Sequence, residues 1–155
     1  MKAKLKPMFR LLLGLYLVGL GLAMMIHTQL GVPPWDVLTQ GIQHQTGWSF
    51  AIAASVVSAV VLLIWIPIKQ KPGIGTLINA FSIGPFADLS KPLMPTFDSF
   101  WATLAWLVLG LVVIATGSGL YISANLGGGP RDGLMVGLTR DSGWPFWVKI
   151  GRAHV

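Results

Sequence analysis

The sequence predicts an all-α membrane protein, a polytopic helical bundle with an internal repeat that is truncated in its second copy. Three observations support this fold class. Hydrophobic residues make up 54% of the 155 residues and charged residues only 10%. Several apolar stretches lack charge over a length that can cross a bilayer. Residues 14–50 also align without a gap with residues 110–146.

The repeat is carried by identities in polar connectors as well as in apolar segments. Gly and Leu are frequent in membrane helices, so apolar identities between two such helices are weak evidence. A matched Pro-x-Asp and a matched Gly-Trp in the connectors are stronger evidence. The identities are Gly14/Gly110, Leu15/Leu111, Gly21/Gly117, Ile26/Ile122, Leu30/Leu126, Gly31/Gly127, Pro34/Pro130, Asp36/Asp132, Leu38/Leu134, Gly41/Gly137, Gly47/Gly143, Trp48/Trp144 and Phe50/Phe146.

Composition narrows the chemistry that the chain can perform. Cys and Glu are absent and Asp occurs five times, which excludes disulfides and thiolate metal sites and leaves little material for paired carboxylates. His27 and His44 have no partner at metal-ligand spacing. We therefore expect no enzyme, no cofactor and no metal.

Basic residues flank the apolar segments, and this placement accounts for the net charge of +6. Nucleic acid is therefore not an expected partner. We expect the lipid bilayer as the environment, with a small solute or a partner protein as ligand.

The first predicted span is residues 11–26, reaching 30 if the polar residues after it lie near the interface. Lys2, Lys4, Lys6 and Arg10 precede it, so the N-terminus is expected to be cytoplasmic. A cleaved signal peptide is disfavoured, because no small-residue cleavage pattern follows. The connector after it has no Lys or Arg, which favours the far side or the membrane interior.

The second predicted span is residues 50–68. The third segment, 74–87, is broken by Gly75, Gly84 and Pro85, and it either crosses or dips into the bilayer and returns. Residues 100–124 are uncharged and long enough for a fourth crossing.

If the third segment crosses, each unit holds three spans and the second copy is inverted. If it only dips, the copies are parallel. Arg131 and Arg140 in the second connector are expected of a cytoplasmic loop, and the first connector has no such residues. Lys91 argues mildly for the parallel arrangement. We predict inversion.

The repeated connector contains the candidate site. Pro34 and Pro130 are typical of a first helical residue, and Asp36 and Asp132 are placed to cap free N–H groups. The alternative is that two half-helices point their N-termini at a shared polar site, where the acidic pair binds a cation or carries a proton. The candidate substrate or ion site is Asp36, Asp132, Arg131, Gln29 and Asn125.

Glycines in the connectors are expected to allow tight turns, with Gly31, Pro34, Gly127, Gly128, Gly129 and Pro130 as structural connector residues. Gln29 and Asn125 hold matched positions. Their amides either bind a ligand or satisfy freed backbone groups, and the second alternative is favoured.

Residues 150–155 match one translation frame of a common sequencing adapter, with residue 149 at the junction. We predict that residues 1–96 form the first repeat, that 97–148 begin the second, and that 149–155 are an artefact. The natural chain would then continue past Val148 with an apolar span equivalent to 50–68. Resequencing the locus tests this expectation.

Gly-Val-Pro-Pro-Trp-Asp-Val-Leu at 31–38 and Gly-Gly-Gly-Pro-Arg-Asp-Gly-Leu-Met at 127–135 resemble the YczE/YitT-like bacterial integral membrane proteins. Gly75 to Ala80 with Gly84 and Pro85 is also similar to the third segment of that family. The resemblance covers about residues 10–148. It implies a multi-pass inner-membrane protein, and it brings no substrate or catalytic residues.

Two functions are compatible with these features. One is a small-solute transporter or transport-related protein with a polar site between the two Pro-x-Asp helix starts. The other is a non-transporting accessory protein that assists assembly or secretion of another protein. A nucleophile, base and metal arrangement is not visible in the sequence, so an intramembrane enzyme ranks third.

Overall fold

The computed structural model describes the backbone of residues 2–142 and the side chains of residues 6–137. Every regular element in this part of the chain is a helix. The predicted artefact at 149–155 lies outside the described residues. The elements are α1 (Lys2–Thr28), α2 (Pro34–Thr46), α3 (Phe50–Ile64), α4 (Ile74–Ser90), a 3-10 turn (Lys91–Leu93), α5 (Phe100–Ser123) and α6 (Pro130–Ser142).

Two of these helices, α1 over Lys6–Thr28 and α5 over Phe100–Ser123, are long and apolar enough to cross a membrane. The predicted first and fourth segments correspond to them. The helix α3 is apolar but ends at Ile64, before the predicted end at residue 68. Beyond Ile64 the backbone changes to i→i+3 hydrogen bonds, including Ile66 N to Leu63 O at 3.1 Å, because Pro67 cannot continue the α-helical pattern.

The third segment forms one continuous helix, α4, although Pro85 lies inside it. Gly75 N, near its start, donates to Leu126 O at 2.9 Å, and Leu126 packs on the cluster formed by α1 residues Leu11 and Leu15. Ala87, near its end, packs with Leu22. The helix α4 therefore lies alongside α1 and runs in the same direction.

The packing of α1 against α5 is antiparallel and uses glycines that bring the two backbones together. A Cβ built on Gly14 would lie 2.7 Å from Gly117 O, and one on Gly117 would lie 2.7 Å from Gly14 O. One built on Gly21 would lie 2.7 Å from Gly110 O. Real side chains do not approach backbone atoms this closely, so only glycine permits this helix separation.

Helix α4 packs between α1 and α3. Gly19 of α1 contacts α4, where an added Cβ would meet Phe86 Cβ at 2.6 Å, and Gly84 of α4 contacts Ala51 of α3. Asp88 Oδ2 accepts from Ala51 N at 2.8 Å, which satisfies a free N–H at the start of α3. The core consists of two apolar clusters along α1, with these buried members: Leu11, Leu15, Val18, Tyr121 and Ala124 in one, and Leu22, Ala23, Phe50 and Ala87 in the other.

Candidate functional site

The two connector helices begin at the predicted prolines and their N-terminal turns lie close together. Pro34 is the first residue of α2 and Pro130 the first residue of α6. Arg131 Nη1 lies 3.4 Å from Asp36 Oδ2, and the Arg131 guanidinium lies 5.9 Å from the centre of the Trp35 ring. Because a cation over an aromatic face is attracted at this range, Arg131 is held by two residues of the other connector.

Asp36 does not cap its own helix. It is the third residue of α2, from which a carboxylate normally reaches back to the N–H of the residue that precedes the helix. That residue is Pro33, which has no N–H. Asp36 is 4% exposed, and within the described part of the chain its carboxylate accepts a hydrogen bond only from Arg131. The first acidic residue is therefore available for a role that the capping interpretation does not explain.

Asp132 holds the equivalent position in α6, and its carboxylate does cap the start of its own helix. Its Oδ2 accepts from Gly129 N at 3.0 Å, because the residue before α6 is a glycine with a free amide. The same oxygen accepts from the Tyr121 hydroxyl. The capping prediction thus describes Asp132 and fails for Asp36. Asp132 is exposed, whereas Asp36 is buried.

Two cavities lie between the connectors and helices α1, α3, α4 and α5. The larger, about 220 Å³, is lined by Asp36, Arg131 and Asp132 together with neutral polar residues of α4 and α5. The smaller, about 30 Å³, lies on the α3 side and shares Asp36, Asn79 and Arg131 with the first, so the two cavities adjoin at the ion pair. A volume of about 30 Å³ accommodates one water molecule.

Sequence reasoning missed several polar residues of these walls. Asn79 is 6% exposed and lines both cavities. Tyr121 and Ser118 line the larger cavity, and Thr39 and Ser58 the smaller. The only sequence signal for Asn79 was an amide inside an apolar segment, and such residues are rare enough within membrane helices to mark a site.

The structure does not bring Gln29 or Asn125 to these cavities. Both are exposed and end a long helix with positive φ, 55° at Gln29 and 54° at Asn125. This left-handed conformation is a common way to end a helix, and it suits Asn better than most side chains. Their matched positions are thus accounted for by backbone geometry, and a ligand role for them stays a prediction.

The glycines of the second connector allow close approach. Gly127 has φ 118° and lies against Thr76 and Gly73. A Cβ on Gly129 would lie 3.2 Å from both amide atoms of Asn79. Gly128 has Asp132 as its nearest neighbour, and Gly31 of the first connector has open space around it. The absence of a side chain at Gly129 therefore lets Asn79 reach the connector.

Trp65 at the end of α3 anchors the second connector. Its indole Nε1 donates to Pro130 O at 3.1 Å, and its ring fills the space that a side chain at Gly133 would occupy. Since Trp65 is 3% exposed, this hydrogen bond is protected from water, and it holds the first turn of α6 beside the cavity.

The site offers two carboxylates, one guanidinium, one carboxamide and several hydroxyls around a partly open space. Among residues 6–137, no three His, Asp or Glu side chains are grouped so that they could hold a metal ion. The arrangement can orient a small polar molecule through several hydrogen bonds.

The chain has relatives among known proteins. An uncharacterised protein of Haemophilus influenzae is 34% identical over 138 residues, which cover 89% of this chain and 63% of the relative. The uncharacterised membrane protein YczE of Bacillus subtilis is 34% identical over 145 residues, covering 89% and 66%. The uncharacterised protein YyaS of the same organism is 29% identical over 134 residues, covering 83% and 66%.

The chain thus spans slightly less than two thirds of the length of these relatives. No solved structure matches it significantly. The likeness to a membrane protein agrees with the two helices long enough to span a bilayer. Residues 5–152 match the family of unknown function DUF6198, and with its identity to YczE this places the chain in the DUF6198, YczE-like family of membrane proteins.

Proposed function

We propose that this chain contains the polar solute site of a small membrane transporter or transport-related protein. One observation carries the proposal. The N-terminal turns of two connector helices, separated by 95 positions in the sequence, meet at a cavity that contains the Asp36 and Arg131 pair. Discontinuous helices whose N-termini face a shared polar site are a recurrent feature of transporters built from inverted repeats.

Inversion of the repeat is part of this proposal, and the helix packing supports it. In an inverted repeat, close helix contacts between the two copies are expected to recur between the counterparts of their residues. The counterparts of Gly14 and Gly117 are Gly110 and Gly21, and both pairs are in contact. Trp35 and Arg131, which are each other's counterparts, also lie against one another. A two-fold axis in the membrane plane, passing near the ion pair, accounts for all three contacts.

The direction of α4 also favours inversion. The helix α4 lies alongside α1 and runs the same way, so that α1, α3 and α4 would form an odd number of passes before α5 if α3 and α4 also cross. The second copy would then start from the opposite side, which agrees with the antiparallel packing of α1 and α5. The two connectors would then open toward opposite faces of the membrane.

The topology can be tested by cysteine labelling, since the chain has no Cys of its own. We expect Gln45→Cys to react with an impermeant maleimide from outside intact cells. Arg140→Cys should react only after permeabilisation, with Lys71→Cys as the cytoplasmic control. Labelling of the Gln45 and Arg140 variants from the same face contradicts inversion.

Transport itself is tested with the protein encoded by the complete gene, purified and reconstituted into liposomes. We expect uptake of at least one small polar solute above protein-free liposomes, and loss of that uptake in an Asp36→Asn variant. A broad panel of radiolabelled solutes and inorganic ions with no uptake above background contradicts the proposal.

The second candidate function is that of an accessory protein that assists another membrane or secreted protein. The wide exposure of α5 favours it, since only 11% of the most apolar 18-residue stretch of this helix is buried. Co-purification of one stable partner from cells, together with an absence of transport in liposomes, would favour this function.

A further inference from the structure

The cavity between the connectors contains a polar group without a partner. The Asn79 side chain is 6% exposed, lines both cavities, and has no hydrogen bond to any group in the described part of the chain. A carboxamide that lines a cavity and makes no hydrogen bond to the protein can bond a molecule there, because polar groups inside proteins normally have a partner. Its two donors and its carbonyl oxygen are therefore available to a molecule in the cavity.

Gly129 on the opposite wall leaves room for the Asn79 side chain because it has no side chain of its own. Both amide atoms lie 3.2 Å from the point where a Cβ on Gly129 would sit. Gly129 N is already occupied by Asp132 Oδ2 at 3.0 Å, so the connector approaches the amide without using its hydrogen-bonding capacity. Asn79 thus faces the space between the N-terminal turns of α2 and α6.

The charges around this space nearly cancel. Asp36 and Asp132 contribute two negative charges and Arg131 one positive charge, and the N-termini of α2 and α6 add about half a positive charge each. An ion of either sign entering the cavity would give up part of its hydration and find no net opposite charge. The other polar groups of the walls are neutral, and they lie beside apolar residues such as Leu22 and Ile83. They are Asn79, Ser118 and Tyr121 in the larger cavity and Asn79, Thr39 and Ser58 in the smaller.

We infer that Asn79 is a solute-contacting residue and that the solute is a small uncharged molecule with both donor and acceptor groups, of the amide, urea or polyol class. The larger cavity, about 220 Å³, has the volume of about seven water molecules at about 30 Å³ each, which suits a molecule of this size. The inference rests on the proposed function and adds the substrate class to it.

The test uses proteoliposomes that contain the protein encoded by the complete gene. Acetamide, urea and glycerol entry is followed by light scattering after an osmotic step, and K⁺, Na⁺ and Cl⁻ fluxes are followed in the same preparation. We expect the wild-type protein to pass at least one neutral probe and none of the ions. Asn79→Leu should slow entry of that probe by at least tenfold.

Ser82→Ala is the matched control. Ser82 is the other polar residue in the middle of α4, but it lines neither cavity, so this variant should keep the wild-type rate. Asn79→Asp adds a negative charge to a balanced wall and should admit K⁺ while it slows the neutral probe. The thermal stability of each variant is measured in detergent. If Asn79→Leu does not fold, the transport measured for Asn79→Asp decides whether Asn79 contacts the solute.

The outcomes separate the two proposals. Ion flux without neutral-solute entry in the wild-type protein overturns the neutral-solute inference and leaves the transport function standing. Neutral entry that is unchanged in both Asn79 variants overturns the role of Asn79. Absence of every flux overturns the neutral-solute inference, and the broad solute panel then decides whether the transport function fails as well.

Discussion

Replacement of Asp36 by Asn is expected to reduce the rate of solute uptake at least tenfold, with little loss of stability. The Asp36 carboxylate holds Arg131 at 3.4 Å, and Asn removes the charge while keeping the size and the hydrogen-bonding oxygen. Arg131 would then carry an unpaired positive charge into the cavity. Since the Arg131 side chain is 37% exposed, water offsets much of the lost attraction, and we expect a stability change of about 0–1 kcal/mol.

Asp98→Asn is the control for the loss of an acidic residue, because Asp98 lies exposed in the loop before α5. Asp132→Asn should retain the contact to Gly129 N, since an amide oxygen can accept that hydrogen bond as a carboxylate does. Uptake is measured in proteoliposomes and stability by thermal unfolding in detergent. Normal uptake in both Asp36→Asn and Asp132→Asn would reduce the acidic pair to structural residues and remove the main argument for a polar site.

Alanine at Gly14 or Gly117 is expected to cause the largest loss of stability, about 1–3 kcal/mol for each substitution. The added Cβ at Gly14 would lie 2.6 Å from Tyr121 N, and a backbone atom cannot be moved by a change of side-chain rotamer. The helices α1 and α5 must therefore separate, and Tyr121 then moves away from Asp132.

Gly119→Ala is the matched control on the same helix, because nothing lies within 4 Å of the Cβ that it adds. This variant should be as stable as the wild-type protein, or slightly more stable because of the higher helix propensity of alanine. Fluorescence-detected size-exclusion after heating compares the variants. Equal melting of Gly117→Ala and Gly119→Ala would contradict the close contact between α1 and α5.

The sequence alone predicted those features that depend on neighbouring residues. Apolar runs without charge can be recognised in the sequence, and they correspond to α1 and α5. The end of α1 and both ends of α5 lie close to the predicted ones, whereas α1 begins earlier than predicted, at Lys2. The helix starts at Pro34 and Pro130 were also predicted, because proline has a preset φ that suits the first turn. The repeat and the family resemblance required only matching of residues. The end of α3 was misplaced, because the prediction followed the apolar run to Ile68 although Pro67 indicates that the α-helical pattern ends before it.

Only the tertiary structure decided which polar groups meet. The partners Asp36 and Arg131 are 95 positions apart, and no local pattern relates them. The structure also assigned different tasks to two aspartates that look equivalent, because the residue before α2 is a proline without an N–H and the residue before α6 is a glycine with one. Asn79 became a site residue only through the packing of α4 against both connectors, whereas Gln29 and Asn125 were placed outside the cavity by the left-handed turns that end α1 and α5. Local sequence determines which segments are helical, but contacts between distant helices determine which of their side chains share a cavity.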